Sequence, residues 1–408
     1  MSNAGLMRRS ATKRSRPLEY SLLYAATLFL LAIGAVMVYS ASSATSLLRG
    51  PGDPSYYLKR YVIFGLLGLV VMRLLATQGL KLIKALTPLL LVAGFGLTFA
   101  VMLPGIGVSV NGAKRWLAAR PGQFQPSELL KLALVLYGAQ LLAARPSAVK
   151  TMGGITKPLL VVVAAACALL LAQPDMGTAM VVCFSTGALL VAAGVPRQHL
   201  LKILGILVFL AVVFALVEPY RRARLLSFLH PWADASGDGF QGVQAMIAIG
   251  SGGLFGVGLG ESVQKIFYLP EAHTDMILAV IGEEWGVAGI AGVAALFGIV
   301  GFAGLRAAKL AKDRYAKLVA AGITGLILSQ ACLNFFAVMG MAPLTGVPLP
   351  FISYGSSNLI VLLAGAGILL NVAAGAHTGA AKKRGKPREK QKQTTKRRTR
   401  PARAARAA

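Results

Sequence analysis

The residues most able to do chemistry lie in short polar stretches of an otherwise apolar chain. One stretch reads Asn111-Gly112-Ala113-Lys114-Arg115-Trp116-Leu117 and leads to Gln125-Pro126-Ser127-Glu128-Leu129-Leu130-Lys131. Gln125 then Pro126 fits an N-cap followed by a first-turn proline, and Glu128 falls where the helix dipole favours an anion. Glu128 and Lys131 are three apart and share a helix face. Where such a run crosses a membrane, an ionisable pair is expensive. It is then either functional or an ion pair that locks helix packing. A second stretch opens with Pro219-Tyr220-Arg221-Arg222-Ala223-Arg224. Guanidinium pairs bidentately with phosphate, so these arginines suit an anionic phosphate ligand or lipid headgroups.

A third stretch runs from the glycine-rich segment 250–260 to Tyr268-Leu269-Pro270-Glu271-Ala272-His273-Thr274-Asp275. No Gly-Lys-Ser/Thr follows the glycines, so they form no P-loop. They read as a tight backbone path near a ligand or as a re-entrant segment. Asp275 stands at the start of an apolar run that begins at Met276. There the dipole favours its ionised form, while partial burial opposes it. Asp275 is thus a candidate catalytic carboxylate; the alternative is a helix cap made by Asp275 or Thr274. Glu283 lies two turns deeper and about 80° round the helix, and Glu284 falls nearly opposite Asp275. The last stretch, 339–355, carries Pro343, Pro348 and Pro350. Proline cannot continue a helix, and such backbone at membrane depth is tolerated where it is buried in protein or lines a cavity.

The elements that must position these residues are membrane spans. Of 408 residues, 56% are hydrophobic and 14% charged, against about 25% charged in soluble domains. This excludes an ordinary soluble enzyme, a disordered chain and a disulfide scaffold. A span needs about 20 apolar residues. Runs near 21–42, 57–75, 85–103, 128–144, 157–172, 176–193, 199–217, 276–304, 317–340 and 357–376 predict an all-α polytopic membrane protein with about ten transmembrane helices. The sixth is expected to begin after Gln173-Pro174-Asp175, where proline suits a helix start. The first run is too long for a cleavable signal.

Charge then orients the spans. Lys81, Lys84, Arg145, Lys150, Arg197, Lys202, Arg306, Lys309, Lys312 and Arg314 fall in connections on one side. That side, with both termini, is cytoplasmic by the positive-inside rule. Most acids map to the other side. The two long outer connections, 104–127 and 218–275, are where chemistry is expected, since long loops in compact proteins are usually functional. The larger lies between spans seven and eight.

The formal charge of +28 is not a nucleic-acid footprint. Residues 1–18 and 377–408 hold +17 of it. They read as a basic cytoplasmic N-terminal segment and a disordered basic cytoplasmic tail flanking the ten-span domain, 19–376. Cys167, Cys183 and Cys332 lie in apolar runs and resemble small core residues. No HExxH or CxxC spacing occurs.

In order and spacing these motifs resemble the SEDS family (shape, elongation, division, sporulation) of bacterial polytopic proteins. The likeness rests on MVYSAS at 37–42, NGAKRWL at 111–117, QPSELLK at 125–131, QPDMGT at 173–178, LGESVQKIFYLPEAHTD at 259–275, IGEEWG at 281–286 and TGVPLPFISYG at 345–355. The wording of 259–275 is similar to the division branch more than to the elongation branch. Ser356 stands where the family has a second glycine, and Met276 where it has an aromatic residue.

The resemblance implies a peptidoglycan glycosyltransferase in the bacterial cytoplasmic membrane at the division septum. Its substrate would be lipid II, a disaccharide-pentapeptide on undecaprenyl diphosphate. Its partners would be a class B penicillin-binding protein transpeptidase and other divisome membrane proteins, with no nucleic acid. The family's catalytic carboxylate maps onto Asp275. Arg115, Arg221, Arg222, Lys131 and Lys265 become candidate diphosphate contacts, with Glu128 orienting Lys131. His273, Thr274 and Ser353 become further substrate-binding candidates. No cofactor is certain; a divalent cation, Mg or Mn, is compatible, though the sequence shows no dedicated site. The competing expectations are a lipid II flippase, an elongation-type polymerase, and a non-catalytic scaffold.

Overall fold

The structure is a computed structural model that describes residues 17–110, 113–119, 122–155, 159–217, 222, 227–237 and 239–376. The two basic ends, at 1–16 and 377–408, therefore lie outside the described residues, as do Glu218 and Arg221.

The apolar runs fold as helices. They are α1 (Leu18–Leu48), α2 (Tyr56–Thr77), α3 (Leu80–Ala100), α4 (Pro126–Ala144), α5 (Val161–Ala172), α6 (Met176–Ala193) and α7 (Arg197–Val217). After them come α8 (Phe240–Gly252), α9 (Ile277–Leu310), α10 (Arg314–Val338) and α11 (Ser356–Ala376). Among the described residues, α1, α2, α3, α4, α6, α9, α10 and α11 are long and apolar enough to cross a membrane. The other two expected spans coincide with α5 and α7. With 12 residues, α5 is about 18 Å long, short of a hydrocarbon core of about 30 Å.

The packing puts α10 in the middle, against α4, α6 and α9, while α11 lies along α2 and α1 along α9. In their most apolar windows, 72% of the residues of α10 are buried, against 22% for α3. Polar side chains on α10 therefore face protein, where each needs a partner.

Gln125 is the N-cap of α4, with proline in the first turn as expected. Pro174 lies just outside the sixth span, which begins after Gln173-Pro174-Asp175 as expected. It precedes α6, whose N-cap is Asp175, with its carboxylate accepting from Thr178 N at 3.2 Å. An anionic oxygen that meets an open helical N–H is a stronger start signal than proline.

The two long connections, expected on the outer side, hold regular structure. Part of 104–127 is an antiparallel sheet of β1 (Gly107–Val110), β2 (Ala113–Ala119) and β3 (Gly122–Phe124), with Val108 opposite Trp116 and Leu117 opposite Phe124. It is clipped to the start of α11, where Ser356 Oγ donates to Gln123 O at 2.8 Å and Gln125 N donates to Ser357 Oγ at 2.9 Å. The other connection contains α8, which packs on α9.

The span expected at 276–304 is longer and is broken at Gly286 (φ 68°, ψ −164°). The glycine-rich run fills the break. Val257 N and Gly258 N donate to Glu283 O and Glu284 O at 2.9 and 3.1 Å, and Val287 N and Ala288 N donate to Gly253 O and Leu254 O at 3.0 Å. A side chain at Gly256 or Gly286 would collide with the backbone of the other segment. The glycines are thus the tight backbone path that the sequence implied, and they satisfy polar groups that lipid cannot.

Candidate functional site

Asp275 ends a compact turn just before α9. Thr274 N and Met276 N both donate to Glu271 O, at 3.1 and 3.3 Å. Glu271 takes φ 54°, and Phe267 takes φ 67°. Left-handed backbone at such residues costs on the order of 1–3 kcal/mol each and persists where the surroundings hold it. The N-cap of α9 is Met276, whose side chain makes no cap hydrogen bond. Asp275 is half-buried, and Oδ1 lies 3.2 Å from Thr274 Oγ1, which also reaches Glu271 Oε2 at 2.9 Å. The carboxylate borders a shallow cleft lined by Asn334, Leu344, Thr345, Gly346 and Val347.

The backbone of Asp275 is pinned from α10. Asn334 Nδ2 donates to Asp275 O at 2.7 Å and to Val347 O at 2.8 Å. One turn earlier, Gln330 Nε2 donates to Pro348 O at 2.9 Å. A wall of aromatic rings stands beside this turn. The His273 ring lies 4.2 Å from that of Tyr57 and 5.7 Å from that of Tyr354, and Tyr354 N donates to His273 O at 3.0 Å. Burial lowers the pKa of His273, opposed in part by the Glu271 carboxylate.

The candidate cations behave differently from one another. Lys131 is 2% exposed; its ammonium lies 2.9 Å from Glu128 Oε1 and 2.9 Å from Gln330 Oε1. Lys265 is also buried, and it donates to Glu284 Oε1 at 2.7 Å, Gly260 O at 2.7 Å and Ser40 Oγ at 3.0 Å. Ser40 Oγ in turn reaches Glu284 Oε1 at 2.6 Å. Glu283 accepts from Ser262 Oγ at 2.5 Å and from Val263 N at 3.0 Å. Arg115 Nε donates to Gln173 O at 3.1 Å, its Nη2 donates to Pro174 O, and Nη1 lies 3.9 Å from Asp175.

Lys131, Lys265 and Arg115, candidate diphosphate contacts, are all engaged with protein groups in this geometry. The two lysines are neutralised in buried pairs, and Arg115 braces the turn before α6. Ser353 is buried, and its Oγ accepts from Leu349 N at 2.8 Å, which closes a turn. Arg222 is exposed, and Arg221 lies outside the described residues. The structure thus brings Asp275, Thr274 and His273 together and places Glu128 and Lys131 behind them.

Sequence reasoning passed over Gln330, Asn334, Tyr57 and Ser40. The signal for the first two was two amides four residues apart in an apolar span, hence on one face. Among the described residues, no three His, Cys, Asp or Glu side chains gather as metal ligands. A cavity of about 160 Å³ lies elsewhere, lined by Tyr20, Tyr24, Met72 and Arg73 among others. It contains no carboxylate, so the chemistry is assigned to the cleft at Asp275.

Comparison with known proteins shows the family. The FtsW/RodA/SpoVE family, described as cell cycle proteins, matches residues 21–378. Stage V sporulation protein E of Bacillus subtilis is 37% identical over 363 residues, covering 88% of this chain and 98% of that protein. The probable peptidoglycan glycosyltransferase FtsW of Trichlorobacter lovleyi is 40% identical over 365 residues, covering 89% and 95%. A chain of a peptidoglycan synthase complex, solved to show how polymerization and crosslinking are coordinated, superposes with a TM-score of 0.72 at 30% identity, covering 87% of this chain and 98% of that one. The rod shape determining protein RodA of Thermus thermophilus gives a TM-score of 0.65 at 29% identity, covering 87% and 97%. A match across nearly the whole membrane domain, with relatives of 37–40% identity, establishes that the chain belongs to the FtsW/RodA/SpoVE family of cell cycle proteins.

Proposed function

We propose that this multi-pass membrane protein is a peptidoglycan glycosyltransferase that polymerises lipid II at the outer face of the bacterial cytoplasmic membrane during division. The observation that carries this reading is the state of Asp275. It is a half-buried carboxylate at a span mouth, just ahead of the α9 N-cap Met276, and its backbone is fixed by a buried amide. The 40% identity to a relative named FtsW, together with the wording of 259–275, supports the division role over the elongation role.

Joining an α-linked lipid donor through a β-1,4 bond requires inversion at the anomeric carbon. The incoming 4-hydroxyl loses its proton as it attacks, and in this reading Asp275 takes it or orients that hydroxyl. Thr274 and Glu271 hold the turn, and the neutral His273 ring stays packed on Tyr57. The leaving diphosphate needs positive charge more than a proton. With Lys131, Lys265 and Arg115 engaged in the frame, Arg221 and Arg222 are this chain's remaining candidates for that role.

The partner in this reading is a class B penicillin-binding protein, the crosslinking counterpart of a polymerase. The neighbour from a synthase complex supports a pairing of that kind. The test is polymerisation of lipid II by the purified chain with its transpeptidase, wild type against Asp275→Asn. Loss of glycan product is expected, and near-normal output would sink the assignment. The break in α9 also suits a transporter. Liposomes with all lipid II placed in the outer leaflet separate the two, because a polymerase there needs no translocation.

A further inference from the structure

Gln330 and Asn334 stand one turn apart on α10, in a span that is otherwise nearly all apolar. Both are buried, at 0% and 2% exposed. Unlike a serine, each amide offers two hydrogens and an acceptor. Asn334 gives both hydrogens to carbonyls, one at Asp275 and one at Val347, and so joins the turn before α9 to the proline-rich segment. Gln330 takes the next carbonyl, that of Pro348, and accepts Lys131 Nζ at 2.9 Å. Lys131 in turn holds Glu128. The result is one buried polar path: Glu128, Lys131, Gln330, Pro348, Val347, Asn334, Asp275.

The segment 343–350 has little of its own to hold it. Pro343, Pro348 and Pro350 donate no backbone hydrogen bonds, and neither helix nor sheet continues through them. Its position is set from outside, and the two amides set it at successive carbonyls. The same segment lines the cleft at Asp275. A carboxylate at 334 would turn an acceptor toward two carbonyl oxygens, and an aliphatic side chain would leave both carbonyls without that donor.

We propose that Asn334 is a positioning residue for Asp275, and that Gln330 extends the brace so that the Glu128–Lys131 pair and Asp275 are coupled through α10. This rests on the reading of Asp275 as the reacting carboxylate. Asn334 touches no reacting atom; it fixes the height of the Asp275 backbone against the cleft wall. Geometry of this kind acts on the rate of the bound complex more than on substrate capture, and a misplacement of about 1 Å costs on the order of 100-fold.

The experiment compares wild type, Asp275→Asn, Asn334→Ala, Asn334→Asp and Gln330→Ala. Each is the full chain with its transpeptidase, with lipid II turnover followed against substrate concentration and pH. Melting in detergent is measured alongside. Asn334→Ala is expected to lose about 10- to 100-fold in kcat with KM changed less than about twofold, and to shift the acid limb of the pH profile. Asn334→Asp, close to isosteric, is expected to lose at least as much. Gln330→Ala is expected to lose less, and the Gln330→Ala/Asn334→Ala double variant less than the product of the two single losses. If Asn334→Ala misfolds, the rate of the folded Asn334→Asp decides. A dead Asp275→Asn beside a normal kcat in the Asn334 variants overturns the brace alone. Full activity in Asp275→Asn overturns the underlying reading of the site instead. Strictly multiplicative losses overturn the coupling.

Discussion

Lys131 and Lys265 each neutralise a buried glutamate, and they do so on different scales. Lys131 finds Glu128 three residues away on its own helix, at 2.9 Å, and adds one bond to Gln330. Lys265 finds Glu284 nineteen residues away, at 2.7 Å, and adds bonds to Gly260 O and to Ser40 on α1. The first pair forms as soon as α4 is a helix. The second exists only when α1, the broken α9 and the 259–275 segment have come together. The Lys131–Glu128 pair therefore reports on one element and reaches α10 through a single bond, while Lys265 is held to Glu284 and Ser40 by contacts between segments distant in the chain.

The largest effect is expected where the bonds are most numerous and least local. Lys265→Met leaves Glu284 buried without its cation and is expected to cost about 3–5 kcal/mol of stability. Denaturation in detergent measures it. The double variant Lys265→Met/Glu284→Met is expected to regain most of that loss, because matched apolar groups replace a buried pair at little cost. A single variant as stable as wild type would make Lys265 an available cation again and return it to the substrate-binding candidates.

Lys131→Met is expected to cost less, about 2–3 kcal/mol, because two charge-assisted bonds are lost instead of three. If it costs more than Lys265→Met in the same assay, the ranking by tertiary reach fails.

How much was legible in sequence divides along the same line. The Gln125-Pro126 start of α4 and the Glu128–Lys131 pair follow from spacings of one to three residues, and they appear as read. The placement of Asp275 ahead of an apolar helix followed from local pattern as well. What was missed depends on chain segments meeting. Nothing near Ser40 announces a bond to a lysine 225 residues on. The break at Gly286 is visible only once the run 253–258 supplies its hydrogen bonds. The strands β1–β3 are short and alternate weakly, so periodicity could not separate them from loop. Gln330 and Asn334 could have been suspected, because polar residues inside a span almost always face a partner. Which partner they face is a tertiary fact.

A smaller effect is expected from pH. Burial lowers the folded-state pKa of His273, so the folded chain refuses a proton that the unfolded chain accepts. As pH falls below about 6.5, stability is lost, until the lowered folded value is passed and the loss levels off. Above both values His273 contributes nothing to this dependence. Melting of wild type and His273→Gln from pH 8 to 5 is expected to converge at the alkaline end, with the wild type falling more steeply below about 6.5. Parallel curves would mean that the imidazole takes up its proton in place, and that the wall of Tyr57 and Tyr354 does not exclude it.

The smallest effect is expected at a third lysine pair, which has the geometry of the second without its burial. Lys59 Nζ lies 2.7 Å from Asp53, matching the distance between Lys265 and Glu284. The side chains at Asp53 are 65% and 37% exposed, against 6% and 0% at Glu284. Lys59 and Ser55 hold the Asp53 pKa down to about 2. The stabilisation this implies is present above the unfolded value near 3.8 and is lost only as pH falls toward about 2. At neutral pH, water and salt replace most of what the ammonium provides. Ser55 N and Oγ still reach Asp53 when Lys59 is gone, at 2.9 and 2.7 Å. Lys59→Ala is therefore expected to leave melting and glycan output unchanged at pH 7, and Asp53 to titrate nearer its ordinary range. A loss comparable to that of Lys265→Met would show that distance, and not burial and reach, ranks the three pairs.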